Sequence, residues 1–198
     1  MISGIVLAGG TSSRLGRPKQ LLDLEGRPVL QHVVDAAAAA GLDEIVVVLG
    51  HMADEIAAAI DLPPGARTCL NPRYASGQST SLEAGLDAAD PASEAAVVLL
   101  GDQPRIGAEV VRAVVDRFRE SGARVVRAWY GGRPAHPVLF ARSVWDALRT
   151  VEGDRGAREL LKAHPDWEVR LEAGPEVPSD LDTWEDYERL KAGPTPPV

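Results

Sequence analysis

The chain has 198 residues, 45% hydrophobic and 25% charged, with 21 basic against 29 acidic side chains and a net charge of −8. That length buries one substantial core and is short for two, so a single domain over 1–198 is expected, with 193–198 as a frayed tail. The acidic balance argues against a nucleic-acid or anionic-membrane surface, a single cysteine (Cys69) cannot form an internal disulfide, and no apolar run reaches membrane-spanning length, so a cytoplasmic protein is expected.

The chain opens on an apolar run that empties into small residues and then into cations: I-V-L-A-G-G-T-S-S-R-L-G-R-P-K over 5–19. This order predicts a buried strand over 2–7, a loop that exposes its peptide N–H groups, and a cluster of Arg14, Arg17 and Lys19. Glycine lets a backbone approach a ligand closely, and N–H groups beside Arg and Lys favour an anion such as a polyphosphate. The first 22 residues carry three positive charges and no acid, a local reversal of the overall sign. Two better-known phosphate loops do not fit. A P-loop needs Lys after its last glycine, where Gly16 is followed by Arg17. A dinucleotide fingerprint needs G-x-G, where Gly9 and Gly10 are adjacent.

Further strands are predicted over 44–49, 67–70, 95–100 and 124–128, several too continuously apolar to have a wet face. Helices are predicted between them over 28–40, 54–60, 80–89 and 107–121, the first rich in alanine and ended by Gly41. This alternation is that of an α/β fold with a mostly parallel sheet and helices on both faces, in which a ligand sits beyond the carboxyl ends of the strands. Beyond Trp129 the pattern is less regular: a strand over 137–141, helices over 144–150 and 155–163, a strand over 167–171 and a last helix over 184–191.

Four further segments carry chemistry. V-V-L-L-G-D-Q-P (97–104) ends a buried strand on Gly101 and Asp102, placing a carboxylate where it can hold Mg²⁺ or cap the following helix. P-S-D-L-D-T-W-E-D (178–186) alternates Asp180 and Asp182, which share a face if extended, while Thr183 with Asp186 has capping-box spacing. N-P-R-Y-A-S-G-Q-S-T-S-L (71–82) opens a helix with Asn71, Gly77, Ser79 and Ser81, groups that suit a nucleotide or the helix itself, and Thr80 with Glu83 again has capping-box spacing. In G-R-P-A-H-P-V-L-F (132–140), His136 is a candidate contact to a second substrate. The four histidines show no metal-ligand spacing, so any metal is expected on oxygen ligands.

With these pieces in order along nearly the whole chain, the sequence resembles the molybdenum cofactor cytidylyltransferase family, within the MobA/MocA-like nucleotidyltransferases that include the guanylyltransferases. The resemblance implies a single-domain Rossmann-like nucleotidyltransferase fold. It also implies Mg²⁺-dependent transfer of a nucleoside monophosphate from a nucleoside triphosphate to a phosphorylated pterin-type acceptor, with release of pyrophosphate. Carried over by position, it makes Arg14 and Lys19 triphosphate contacts and Asp102 and Asp182 the Mg²⁺ ligands, so that Arg14, Lys19 and Asp102 form the catalytic set. Nucleotide contacts are expected from Leu7, Ala8, Gly9, Gly10, Asn71, Gly77, Ser79, Ser81 and Gly101, and acceptor contact from His136.

An acceptor phosphate is already ionised near neutral pH, so attack on the α-phosphorus needs alignment and charge neutralisation rather than a general base. The chain departs from the family pattern at L-A-G-G, which matches the guanylyl branch rather than T-A-A-G, at Trp184 in place of a proline, and at Ala135 in place of a glycine. The expected base is cytosine, with guanylyl transfer as the alternative, and an oxidoreductase or non-catalytic nucleotide-binding module as the alternative of another class. Asp102 and Asp182, 80 positions apart, are expected to meet, and to repel each other when no nucleotide is bound.

Overall fold

The computed structural model describes residues 1–12, 14–151, 153 and 156–193; from 194 onward the expected tail lies outside the described residues. In chain order the elements are β1 (Ile2–Ala8), the short hairpin β2 (Asp23–Leu24) and β3 (Arg27–Pro28), α1 (Val29–Ala39), β4 (Glu44–Leu49), α2 (Ala53–Ala59), β5 (Ala66–Leu70) and α3 (Gln78–Ala88). There follow β6 (Ala95–Leu100), α4 (Ala108–Ser121), β7 (Val125–Tyr130), β8 (Arg133–Ala141), α5 (Trp145–Arg149), α6 (Gly156–Ala163), β9 (Glu168–Gly174) and α7 (Trp184–Ala192).

Seven strands form one sheet in the order β5-β4-β1-β6-β8-β7-β9. The pairs β1/β4, β1/β6, β4/β5 and β7/β9 are parallel, and β8 runs antiparallel to both β6 and β7, so the mostly parallel sheet expected from the sequence is present. The β7–β8 hairpin, absent from the sequence expectation, turns on Gly131 and Gly132, whose φ angles of 54° and 78° lie in the left-handed region. Its strand begins at Arg133 rather than at the expected position 137, because apolar patterning marks only the half of β8 that is buried.

Strand alternation divides the core. Val6, Val47, Val97 and Leu139 pack with α1, α2 and α4 on one face, while Ile5, Val48, Val98 and Phe140 pack with α3, α5 and α6 on the other. Both faces are covered, which is why β1, β4 and β6 read as unbroken apolar runs. A third cluster joins Leu15, Leu22, Leu24 and Val29 to Leu181, with Tyr187 and Leu190 packed against it. It ties the C-terminal segment to the loop after β1, and the Tyr187 hydroxyl reinforces the tie by donating to the Asp23 carbonyl at 2.5 Å.

At the amino-terminal end of the sheet, Glu44 is buried and accepts hydrogen bonds from the Ser3 hydroxyl (2.5 Å) and the Asp90 amide (2.6 Å), with Arg67 2.7 Å from its other oxygen. Burial alone raises its pKa, but these three partners outweigh it and the net shift is downward. A depressed carboxylate contributes stability that is present above its unfolded pKa and lost as pH falls through its folded one. The urea midpoint should therefore fall between roughly pH 6 and pH 3, and Glu44→Gln should flatten that slope. An unchanged slope in the variant would remove Glu44 from the account.

Candidate active site

Strand β1 feeds β4 on one side, and the chain later returns to β6 on the other, so the β1/β6 boundary is the point where strand order reverses. A cleft of about 700 Å³ opens there beyond the carboxyl ends of both strands. Its walls include Leu7, Ala8, Gly9, Gly10, Gly77, Ser81, Gly101, Asp102, Asp182 and Lys19.

The loop after β1 is held in shape from beneath. Gln20, 2% exposed, donates to the Ala8 carbonyl at 2.8 Å, and the Ser12 hydroxyl accepts the Lys19 amide at 3.0 Å. The two glycines differ in purpose. A Cβ on Gly9 would meet the Ser81 hydroxyl at 3.2 Å, whereas one on Gly10 would meet nothing within 4 Å and would stand in the open. Close packing continues at Gly50, where a Cβ would lie 2.5 Å from the Tyr74 Cβ and 2.8 Å from the Gly9 carbonyl.

Lys19 sits at the centre of the charge arrangement. Its ammonium lies 2.5 Å from Asp102 Oδ2 and 2.9 Å from Asp182 Oδ1, so those two carboxylate oxygens are at most about 5.4 Å apart, the two distances laid end to end. The Lys19 and Asp102 side chains are each only 15% exposed. Burial alone lowers the Lys19 pKa, but attraction and hydrogen bonding to Asp102, then to Asp182, outweigh it and the net shift is upward. The sequence expectation of two mutually repelling carboxylates is thus corrected: a lysine ammonium stands between them.

Arg14 lies at the rim, 72% exposed, 3.9 Å from Asp182. Asp102 is not a helix cap; Gly107 occupies the N-cap of α4. Asp180 and Asp182 both face the cleft, as their alternation implies, with Leu181 buried between them in the third cluster. The Thr183–Asp186 capping box opens α7, so capping and site placement share one short segment without competing.

The expected Thr80–Glu83 capping box does not form. Helix α3 starts at Gln78 with Gly77 (φ 114°) as its N-cap, which puts Thr80 inside the first turn; Glu83 instead pairs with Arg73 at 2.7 Å. Asn71 is 1% exposed, and its side-chain amide donates to Thr80 and Ser81 hydroxyls at 2.9 and 3.0 Å. It braces the loop from below rather than facing the cleft.

A second cavity of about 390 Å³ adjoins the first, sharing Leu7, Leu100 and Asp180. Ser79 and His136 line it, together with Gln103, Arg127 and the apolar side chains of Val98, Val138, Phe140 and Leu161. Burial, then the neighbouring Arg127 charge, lowers the His136 pKa to about 4, so its imidazole is neutral near pH 7. Burial, then proximity to Asp102, raises that of Asp180, against a hydrogen bond from Gln103 at 2.6 Å. Among the described residues two buried polar side-chain atoms lack a partner, Gln103 Oε1 and Arg127 Nε, and both residues line this cavity.

Sequence reading did not single out Gln20, Gln103 or Arg127. Gln103 stood in the G-D-Q-P motif beside Asp102, and Gln20 next to Lys19, but Arg127 had no signal beyond its place in a strand.

Asp102 and Asp182 offer hard oxygen ligands, and among the described residues no group of three or more His, Cys, Asp and Glu side chains is gathered for metal binding. Two close carboxylates suit a divalent ion that takes its remaining oxygens from phosphate and water, as Mg²⁺ does, so the residues present fit that ion.

The chain is similar to known proteins along nearly its whole length. It is 33% identical over 200 residues to nicotine blue oxidoreductase of Paenarthrobacter nicotinovorans, covering 96% of each. It is 36% identical over 164 residues to the bifunctional protein GlmU of Sorangium cellulosum, covering 78% of this chain but only 34% of GlmU, so it spans about a third of that relative. Among solved structures it superposes on Rv0371c of Mycobacterium tuberculosis H37Rv with a TM-score of 0.86 and 33% identity, covering 97% of this chain and 98% of that one. A structure of the same mycobacterial protein in complex with manganese gives a TM-score of 0.82 at 31% identity, covering 97% and 98%. The family model that matches residues 4–168 covers most of the chain, and on that match the chain belongs to the MobA-like NTP transferase domain family.

Proposed function

We propose that this nucleotidyltransferase moves CMP from CTP to a phosphorylated pterin-type acceptor and releases pyrophosphate. The observation that carries the reading is the meeting of Lys19, Asp102 and Asp182 beside the Gly9–Gly10 loop. In this reading the triphosphate lies along the loop, where backbone N–H groups and the Arg14 and Lys19 cations offset its charge. Mg²⁺, held by Asp102 and Asp182, supplies neutralisation of charge on the phosphates when bound. Leu7 and Ala8 border the base, and Gly77, Ser81 and Gly101 border the sugar and phosphates, with Asn71 supporting them from beneath. The adjoining cavity takes the acceptor, with Ser79 and the neutral His136 on its wall.

No acid–base pair is required, since the acceptor phosphate arrives ionised. The chain's contribution is to align two anions and exclude water. That the active chain is one domain, that it works in the cytoplasm and that it needs no nucleic-acid or membrane partner belong to the same proposal. No described helix is long and apolar enough to cross a membrane.

The test is pyrophosphate release with each of four nucleoside triphosphates, with and without molybdopterin, and CTP set against GTP in one reaction. Acceptor-dependent release with CTP favoured is the expected result. Clear preference for GTP would move the assignment to the guanylyl branch, to which Leu7–Gly10 already conforms in sequence. Release under no condition, with reduction of a quinone-like dye instead, would favour the role in the name of the full-length relative.

A further inference from the structure

We propose that Lys19 is the resident cation of the two-carboxylate site: its ammonium occupies the space between Asp102 and Asp182, keeps divalent metal weakly bound, and yields that space when a triphosphate draws it away. The proposal rests on the nucleotidyl-transfer reading only in naming the triphosphate as what draws Lys19 off.

The geometry is that of a cation shared by two anions. Asp102 Oδ2 and Asp182 Oδ1 both accept from the Lys19 ammonium, at 2.5 and 2.9 Å. Asp182's other oxygen faces Arg14 at 3.9 Å, a weaker and more exposed contact. Asp180 is no ready substitute, because one of its oxygens is taken by Gln103 at 2.6 Å.

A divalent ion that bridges these two oxygens must displace a unit charge that is only 15% exposed and hydrogen-bonded to each. Two carboxylates around one ammonium carry about a single net negative charge, far less attractive to a divalent ion than the bare pair. Lys19 is the element free to leave. Its ammonium ends a flexible four-carbon stem, while Asp102 follows β6 with only Gly101 between them and Asp182 directly precedes Thr183, the N-cap of α7. The opening and closing of the metal site is thus tied to the same side chain that the triphosphate needs. A nucleotide arriving without metal frees the acids, and metal arriving without nucleotide finds them taken.

The test is Mn²⁺ binding to the full chain with neither nucleotide nor acceptor, followed through the electron paramagnetic resonance signal of free Mn²⁺. Lys19→Met should bind Mn²⁺ about ten-fold or more tightly than the unmodified protein, because a competing unit charge has gone. Lys19→Arg, which keeps the cation, should stay as weak as the unmodified protein. Asp102→Asn introduced beside Lys19→Met should abolish the gain.

Circular dichroism reports whether each variant is folded, and Lys19→Gln, which keeps a donor but no charge, repeats the measurement if Lys19→Met is not. Equal Mn²⁺ affinity in the neutral variant and the unmodified protein would overturn the proposal, as would an equal gain in Lys19→Arg. Because no transfer chemistry is involved, a protein that released no pyrophosphate at all would still give a readable answer here.

Discussion

Replacing Lys19 with alanine should lower nucleoside triphosphate turnover by a factor of about 100 to 1000, the usual cost of deleting one preorganised charge contact to a developing oxyanion. The side chain is poised for such a role: it is only 15% exposed, its pKa is held up by Asp102 and Asp182, and it remains charged throughout the working pH range. The loss should fall on kcat/KM for the triphosphate, since the contact is expected to strengthen as charge builds toward the leaving pyrophosphate. Steady-state kinetics with varied CTP is the measurement. Kinetics within a factor of about two of the unmodified protein would mark Lys19 as structural, because a surface lysine without such a role behaves that way. The same substitution, by removing a cation, is expected to strengthen metal binding while weakening catalysis, a combination that general misfolding does not produce.

A second large effect is expected far from the cleft. Trp145→Ala should destabilise the fold by about 3–5 kcal/mol, measured from urea unfolding at neutral pH. Trp145 is fully buried in the core layer under β6, β7 and β8, its indole N–H donates to the Phe140 carbonyl at 3.1 Å, and the Arg142 guanidinium lies 4.3 Å from its ring centroid. Alanine removes the largest fully buried side chain and leaves a cavity between α5 and the sheet, a loss comparable with much of a domain's total stability. Trp145→Phe should retain more, as it keeps most of the packing and gives up the hydrogen bond. A loss below about 1 kcal/mol in the alanine variant would mean that α5 repacks, and that the helix contributes little to holding β8.

How much was legible in the sequence follows from how local each signal is. The strands β1, β4 and β6 were readable because both of their faces are buried and their apolar runs have no gaps. Helix α4, expected over 107–121, spans Ala108–Ser121 and stops at Gly122, φ 62°. The glycine loop and Asp102 could be placed at one edge of the sheet because a parallel α/β fold puts every loop after a strand on the same side. The Thr183–Asp186 capping box was likewise a matter of spacing within four residues.

What the tertiary structure decided depends on contacts between distant segments. Asp182 reaches Lys19, 163 positions away, because Leu181, Tyr187 and Leu190 bury themselves against Leu15, Leu22 and Leu24, a hydrophobic match with no periodic signature. The β2–β3 hairpin and the β7–β8 hairpin were missed for a related reason: they are short or half exposed, so their alternation is weak. Asn71 and Ser81 belong to one polar motif, yet one side chain turns inward and the other lines the cleft, a difference set by where α3 begins rather than by residue type. The sequence by itself determined the fold class and the residue types gathered in the loop, since both follow from local pattern. Only the folded chain decided which acid meets Lys19, and that an ammonium rather than empty space separates the two carboxylates, because these depend on packing between segments that are remote along the chain.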